Sequence, residues 1–439
     1  MQTTFTLQQL ADPQIKESEK ILRACVHCGF CNATCPTYQL LGDELDGPRG
    51  RIYLIKDMLE HDRPATKDAV THLDRCLSCL ACMTTCPSGV HYMHLVDHAR
   101  VHVEKTYKRP FADRMTRDLL AKVLPYPARF RAALFLAMFA RPLAPFFKSI
   151  GLKPLAAMLE LAPRHVHGRD TIFRVYQAEG PRQGRVALLV GCANDALGSS
   201  ITQATIRVLT RHGVEVVVPP EAGCCGSLVH HMGREVEALA FARTNIDAWM
   251  REIDGEGLDA ILITISGCGT TVKDYGFMLR DDPAYAQKAK RVSVLARDVS
   301  EYLAKLPLKP TRDAKPLKVA YHSACSLQHG QRVVREPKDV LTRMGFVVKD
   351  LPEAHLCCGS AGTYNILQPE IAERLRARKV ANIEKVAADV IAAGNIGCII
   401  QIGAGTTIPI VHPVELVDWA TGGILPRELE KSLAEKAAS

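Results

Sequence analysis

The chain has 439 residues, 47% of them hydrophobic and 23% charged, with no low-complexity tract; this is an ordinary globular composition, long enough for two to four domains. The formal net charge of +8 is spread along the chain, and no helix-turn-helix or RNA-binding motif accompanies it, so no nucleic-acid partner is expected. The first residues, MQTTFTLQQLADPQ, lack a basic n-region and an apolar h-region, so no secretory signal is expected, and no uncharged apolar stretch approaches the length of a bilayer span.

In chain order, the first feature is a pair of near-identical cysteine blocks. They read Cys25-x2-Cys28-x2-Cys31-x3-Cys35-Pro36 and Cys76-x2-Cys79-x2-Cys82-x3-Cys86-Pro87. This is the ligand spacing for two [4Fe–4S] clusters: three thiolates on one tight loop serve one cube, and the cysteine before the proline reaches across to the other. A zinc site would use two separated pairs and no crossing ligand. Sixteen cysteines in a chain without a signal fit a reducing cytoplasm rather than a disulfide framework. Two clusters at about −2 each bring the charge down to roughly +4. That charge suits an anionic membrane surface or an acidic partner.

Forty residues lie between Cys35 and Cys76, more than a minimal two-cluster ferredoxin needs. Arg51 to His61 and Tyr92 to Val103 read as amphipathic helices, so residues 1–106 are expected to form an α-helical ferredoxin-like domain with the blocks at helix ends. Gly47-Pro48-Arg49-Gly50-Arg51 reads as a turn before the first of these helices. Its arginines either neutralise a cluster, dock a partner or sit on the surface. His27, between two ligands, reads more readily as a surface residue than as a tuner of potential.

Residues 107–180 form a basic helical linker. Between Leu119 and Ile150 stand Lys122, Arg129, Arg131, Arg141 and Lys148 with no acidic residue, interleaved with Phe130, Phe135, Met138, Phe139, Phe146 and Phe147. Such proline-broken, basic, aromatic helices either lie in a membrane interface or pack on flanking domains or a partner subunit.

From about residue 184, apolar strands alternate with helices, and the pattern occurs twice, in residues 181–312 and 313–439. Arg185–Val190 leads to Cys192, and Lys318–Tyr321 leads to Cys325. Gly213–Val218 leads to Cys224-Cys225-Gly226, and Gly345–Lys349 to Cys357-Cys358-Gly359. Ala260–Ile265 ends near Cys268, and Ala388–Ala392 near Cys398. Thirty-one residues separate the lead cysteine from the Cys-Cys pair in both copies, which marks a duplication of a parallel α/β unit. The expected fold class is therefore multidomain, α followed by duplicated α/β. Loops after parallel strands converge on one crevice, so Cys192, Cys224, Cys225 and Cys268 should gather, as should Cys325, Cys357, Cys358 and Cys398. Four cysteines per repeat at strand ends favour one or two further redox centres over a zinc site, a thiol pair or an empty pocket. His322 and His355 are also expected near the second crevice.

The two ferredoxin blocks, the paired Cys-Cys-Gly motifs, Cys25-Val-His-Cys-Gly-Phe-Cys-Asn-Ala-Thr-Cys-Pro-Thr-Tyr38 and Ser266-Gly-Cys-Gly-Thr-Thr-Val-Lys-Asp-Tyr275 together resemble the iron–sulfur subunits of bacterial glycolate oxidases. The wider family includes the catalytic subunit of heterodisulfide reductase, the anaerobic glycerol-3-phosphate dehydrogenase C subunit and the lactate-utilisation iron–sulfur proteins. The resemblance implies Cys25, Cys28, Cys31 and Cys86 on cluster 1, and Cys76, Cys79, Cys82 and Cys35 on cluster 2. It also implies flavin-binding-type dehydrogenase subunits as partners in a hetero-oligomer, with the membrane quinone pool as the destination of the electrons. The implied role is electron transfer in a membrane-associated glycolate (or D-lactate) dehydrogenase on the inner face of the cell membrane. No catalytic residue is expected in this chain, since no GxGxxG fingerprint follows a strand. Related glycerol-3-phosphate or lactate complexes, or a thiol/disulfide enzyme, are the alternatives. Heterodisulfide reductase uses five thiolates ending in C-x2-C, whereas Ile265 and Thr271 flank Cys268, and Asn395 and Gln401 flank Cys398, at that distance. Each repeat thus offers four cysteines, which argues against a five-thiolate site.

Overall fold

A computed structural model describes residues 1–163, 172–311 and 317–430. The boundary expected between the two repeats at 312/313, part of the linker, and the last residues of the second repeat lie outside the described residues. The N-terminal region is helical. Pro13–Ala24 starts with Asp12 accepting from the Gln14 amide and with proline in its first turn, where a missing N–H is harmless. Lys67–Asp74 starts with Thr66 accepting from Ala69. These helices and Pro48–Glu60 and Tyr92–Thr106 turn apolar faces inward, so that Leu22, Ile55, Leu59, Leu73, Leu95 and Ala99 share one core with Cys25, Cys76 and Cys82. Both cysteine blocks therefore ride on helix ends: Cys25 and Cys86 cap helix C-termini and Cys35 caps an N-terminus.

Pro48–Arg51 is not a turn before the helix but its first turn, because proline there is pre-organised for the helix. The arginines are thereby fixed on a rigid element facing the cysteines.

The linker comprises Phe111–Val123, Pro127–Ala140, Ala144–Ser149 and Lys153–Leu161, the last three each with proline in the first turn. Along Pro127–Ala140 only Leu134 is buried. The helical run Pro127–Ser149 is 23 residues long and, by length and composition alone, apolar enough to cross a membrane. That qualifies the expectation from uncharged stretches, since Arg129, Arg131, Arg141 and Lys148 interrupt it.

Among the described residues nine strands follow: β1 Val175–Tyr176, β2 Gly184–Leu189, β3 Val214–Val217, β4 Ala260–Ile263, β5 Ala296–Asp298, β6 Lys318–His322, β7 Val347–Asp350, β8 Val390–Ala393 and β9 Ile410–Val411. They make a sheet of order β1-β3-β2-β4-β5 and a second of order β7-β6-β8-β9. All pairings are parallel except β1 with β3, an antiparallel edge that the sequence pattern did not reveal. The duplication is visible in register: Val186 pairs with Val216 and Ala260, while Val319 pairs with Val348 and Val390. One face of each sheet contributes to a common core that includes Val186, Leu188, Val216, Val319, Tyr321 and Val390. The helices Ser199–Arg211 and Pro413–Ala420 cross that layer, joined by Arg207 and Arg211 to the buried Asp418 carboxylate at 2.6 and 3.1 Å.

Candidate iron–sulfur sites

All sixteen cysteines are free thiols, and they gather in four groups. The first is a cavity lined by Cys25, Cys28, Cys31 and Cys86, with Cys82, Arg49 and Ile52 completing the wall. Left-handed backbone at His27 and Gly29, φ 59° and 85°, folds the loop so that its sulfurs converge. A Cβ at Gly29 would lie 2.8 Å from the Arg49 guanidinium, so glycine lets that cation approach. Cys28 is exposed and shares the cavity with exposed Val26 and Phe30, while the exposed Tyr53 ring lies 6.2 Å from that of His27. His27 is half-buried with Nε2 sealed and unpartnered, unlike the surface residue expected. Burial and the neighbouring Cys25 push the Cys31 thiol up to about 11.

The second group, Cys35, Cys76, Cys79 and Cys82, is wholly buried. Arg51, 1% exposed, points a guanidinium nitrogen at Cys35 Sγ at 3.9 Å while donating to the His72 carbonyl at 2.7 Å and Thr37 Oγ1 at 3.1 Å. Arg100 donates to the Cys76 carbonyl at 2.7 Å, and Tyr92 Oη lies 3.8 Å from Cys76 Sγ. Burial drives the Cys79 and Cys82 thiols well up. Burial opposes ionisation of Cys76 too, but the Arg51 and Arg100 guanidiniums outweigh it and hold that thiol below its usual range. Each ferredoxin set thus has one arginine from the Pro48–Glu60 helix against it, Arg49 for the first and Arg51 for the second.

These observations test the fit to two [4Fe–4S] clusters. Cys25, Cys28, Cys31 and Cys86 line one cavity that Cys82 also reaches, and Cys35, Cys76, Cys79 and Cys82 are buried with the Arg51 guanidinium aimed at Cys35 and Arg100 at the Cys76 carbonyl. Bound iron supplies the positive charge that lets such thiols ionise, and the arginines offset the net negative charge of a thiolate-ligated cube. The residues fit.

The third and fourth groups sit at the carboxyl ends of β2–β4 and β6–β8. Cys192 and Cys224 sulfurs are 3.7 Å apart, and so are Cys325 and Cys357. Cys225 and Cys268 share one apolar core, as do Cys358 and Cys398. The eight cysteines gather in two crevices as expected, with one local difference. Cys192, Cys268 and Cys398 stand in the first turn of helices rather than in loops. Each Cys-Cys-Gly ends in a left-handed glycine, φ 85° at Gly226 and 91° at Gly359, where a Cβ would strike the Ala238 or Ala372 carbonyl. Of the two histidines expected by the second crevice, His322 lies beside Cys358 and Cys398, whereas His355 presents its backbone carbonyl to His329.

The groups are not isolated from one another. Leu77, Cys79, Cys357 and Tyr364 share one core with Cys325 packed against it, so the buried ferredoxin set adjoins the second-repeat set. Hydrogen bonds from Thr84 to His329 at 2.7 Å and from Tyr364 to the Arg75 carbonyl at 3.0 Å fix that contact. The two repeats meet where Ser266 and Ser326 hydroxyls lie 2.7 Å apart. Of the three roles the sequence left open for Arg51, the structure shows it against the buried cysteines, whereas Lys379 and the unpartnered state of His322 escaped sequence reasoning. A charged residue inside an apolar helix stripe was the only available signal for Lys379.

A two-cluster ferredoxin region joined to a duplicated cysteine-rich α/β unit defines a multi-centre iron–sulfur electron carrier. Family models agree: residues 21–90 match a 4Fe-4S dicluster domain, and residues 186–273 and 319–403 match the cysteine-rich domain called CCG. The chain is 44% identical to the glycolate oxidase iron-sulfur subunit of Escherichia coli, over 96% of this chain and 99% of that one. It is 30% identical to the probable glycolate oxidase iron-sulfur subunit of Bacillus subtilis, over 96% and 99%. The lactate utilization protein A of Bacillus licheniformis is 27% identical over 53% of this chain and 99% of its own. A crystal structure of a hypothetical protein from Helicobacter pylori shares the fold, with TM-score 0.56 at 10% identity, over 95% of this chain and 74% of that one. The chain belongs to the family of glycolate oxidase iron–sulfur subunits, and it is an iron–sulfur component of an oxidoreductase complex.

Proposed function

We propose that this chain transfers electrons within a membrane-associated 2-hydroxy-acid dehydrogenase that oxidises glycolate to glyoxylate. The reading rests on full-length similarity to the Escherichia coli subunit, together with an exposed cysteine set beside a buried one. Glycolate gives up two electrons and two protons on becoming glyoxylate, and a separate flavin subunit takes the pair. When bound, iron–sulfur clusters accept and release single electrons. Cys25, Cys28, Cys31 and Cys86 hold the first cluster, and Cys76, Cys79, Cys82 and Cys35 the second. Exposed Cys28, beside exposed Val26 and Phe30, is the face that receives the flavin subunit. The buried cysteine set lies between that face and the second repeat. The exposed apolar side of the linker supports peripheral attachment to the inner face of the membrane, towards the quinone pool. Affinity purification of the chain from native membranes tests the proposal. A flavoprotein should co-purify, and glycolate should reduce the clusters of the complex. Glycolate oxidation by the isolated chain with a dye acceptor overturns it. So does a complex reduced by lactate or glycerol 3-phosphate but not by glycolate.

A further inference from the structure

His322 closes strand β6 and is 1% exposed, yet neither ring nitrogen has a hydrogen-bond partner. Leaving a buried polar group unpaired costs about 1–3 kcal/mol, so buried histidines normally donate from one nitrogen and accept at the other. What surrounds this ring is sulfur. A His322 ring nitrogen and the Cys358 and Cys398 sulfurs all lie within 4.8 Å of one another. Cys325 and Cys357 sulfurs, 3.7 Å apart, extend the group.

Lys379 points the same way. It is 2% exposed, and its ammonium donates to the Glu353 carbonyl at 3.0 Å. Burial works against its charge, and the groups that act the other way are Cys325, Cys357, Cys358 and Cys398, so the side chain stands against the same cysteine group.

The first repeat provides an internal comparison. Leu189 precedes Cys192 by the same three residues as His322 precedes Cys325. Ala238 and Phe241 cover Gly226 as Ala372 and Leu375 cover Gly359; that register sets Asn245 where the second repeat has Lys379. Asn245 is fully occupied, donating to the Cys224 carbonyl at 2.9 Å and accepting from Gly223 at 2.8 Å. The nitrogen donor and the buried cation are therefore peculiar to the second repeat, which is also the one that adjoins Cys79 of the ferredoxin region.

We propose that the second repeat binds an iron–sulfur centre through Cys325, Cys357, Cys358 and Cys398, with the His322 imidazole as a nitrogen ligand. Lys379 is a positioning residue that offsets the charge of the centre. A neutral imidazole raises the potential of an iron–sulfur centre relative to thiolate at the same position, so His322 should hold this site above the potential that a cysteine there would give. The inference builds on the chain's being an iron–sulfur carrier, but its test does not depend on the substrate or partners.

The test uses the full chain purified anaerobically. Iron and labile sulfide should exceed the content of two ferredoxin clusters. Pulsed EPR at a series of poised potentials should detect a nitrogen coupling that changes when histidine alone carries 15N. His322→Cys should keep the iron, abolish that coupling and lower the midpoint potential. His322→Leu, which copies Leu189, should likewise abolish that coupling while Cys325, Cys357, Cys358 and Cys398 keep the extra iron. Absence of histidine coupling at every potential in the wild-type chain overturns the proposal, as does coupling that survives His322→Cys, or zinc in place of the extra iron. Reduction by glycolate in the intact complex is measured separately, so either reading can fail alone.

Discussion

Asp46 is fully buried and meets three basic groups: Arg75 at 2.8 Å, His72 Nδ1 at 2.9 Å and Arg51 at 3.6 Å. Through Arg51 the carboxylate is tied to the buried cysteine set, so its role is to keep a guanidinium charged in a dry place. Removing one partner of a buried pair strands the other, at a cost of about 3–5 kcal/mol. Asp46→Ala should therefore lower the urea midpoint of the holo-protein sharply and release the second cluster first, seen as loss of half the ferredoxin EPR signal. The neighbouring pair Arg49–Glu44, 2.6 Å apart, is 35% and 41% exposed, so Glu44→Ala should cost less than about 1 kcal/mol. Equal effects of the two would refute the assigned difference in burial. Cys28→Ser belongs to the same scale. On the proposed ligation the exposed thiol serves the first cluster alone, so its loss should remove that cluster while the second remains detectable by EPR. Equal loss of both signals would mean that the two sites fold as one unit.

At the scale of elements, the helix Pro48–Glu60 is held against the short turn Glu44–Asp46 by the absence of a side chain. A Cβ on Gly50 would lie 2.2 Å from the Glu44 carbonyl and 2.7 Å from Leu45 Cα, and backbone cannot yield as a side chain can. Gly50→Ala should cost about 1–3 kcal/mol by overpacking and displace Asp46 and Arg51 together. A fall in thermal midpoint accompanied by a changed line shape in the second cluster's EPR signal would show this, whereas an unchanged signal would refute the coupling. Much of this element level was legible in the sequence. Cysteine spacing located the ferredoxin sites, and runs such as Arg185–Val190 and Lys318–Tyr321 located β2 and β6, because central parallel strands are continuously apolar. β1, β5 and β9 were not legible. They are two or three residues long, too short for any period, and exist because a longer neighbour offers them a ladder. Gly50 and Arg51 were read as turn residues, since nothing local in Gly-Pro-Arg-Gly-Arg distinguishes a turn from a first helical turn. The unpartnered ring of His322 could not be read at all, because it depends on what three separate strands bring round it.

Across the whole molecule, the cysteine groups run inward from an exposed face at Cys28, through the buried set, to the second repeat. The linker presents a surface of another kind. Phe135, Leu136, Phe139, Leu143, Phe146 and Ile150 are each more than half exposed, and aromatic pairs Phe135–Phe139 and Phe146–Phe147 have ring centroids 5.1 and 5.7 Å apart. The cations among them are partly engaged, Arg131 with Asp195 at 2.8 Å and Arg141 with the Ala162 carbonyl at 3.2 Å, so apolar contact rather than charge should dominate attachment. Burying each phenylalanine in an interface is worth roughly 1.5–3 kcal/mol, at least about tenfold in affinity. The full chain should therefore sediment with anionic vesicles and remain largely bound at high salt, where charge attraction is screened. A triple variant, Phe135→Ser with Phe139→Ser and Phe146→Ser, should lose binding by at least about a thousandfold while keeping its iron content. Unaltered vesicle binding by that variant would exclude this face as the membrane anchor. Loss of the flavin subunit on co-purification, with vesicle binding intact, would assign the face to the partner instead.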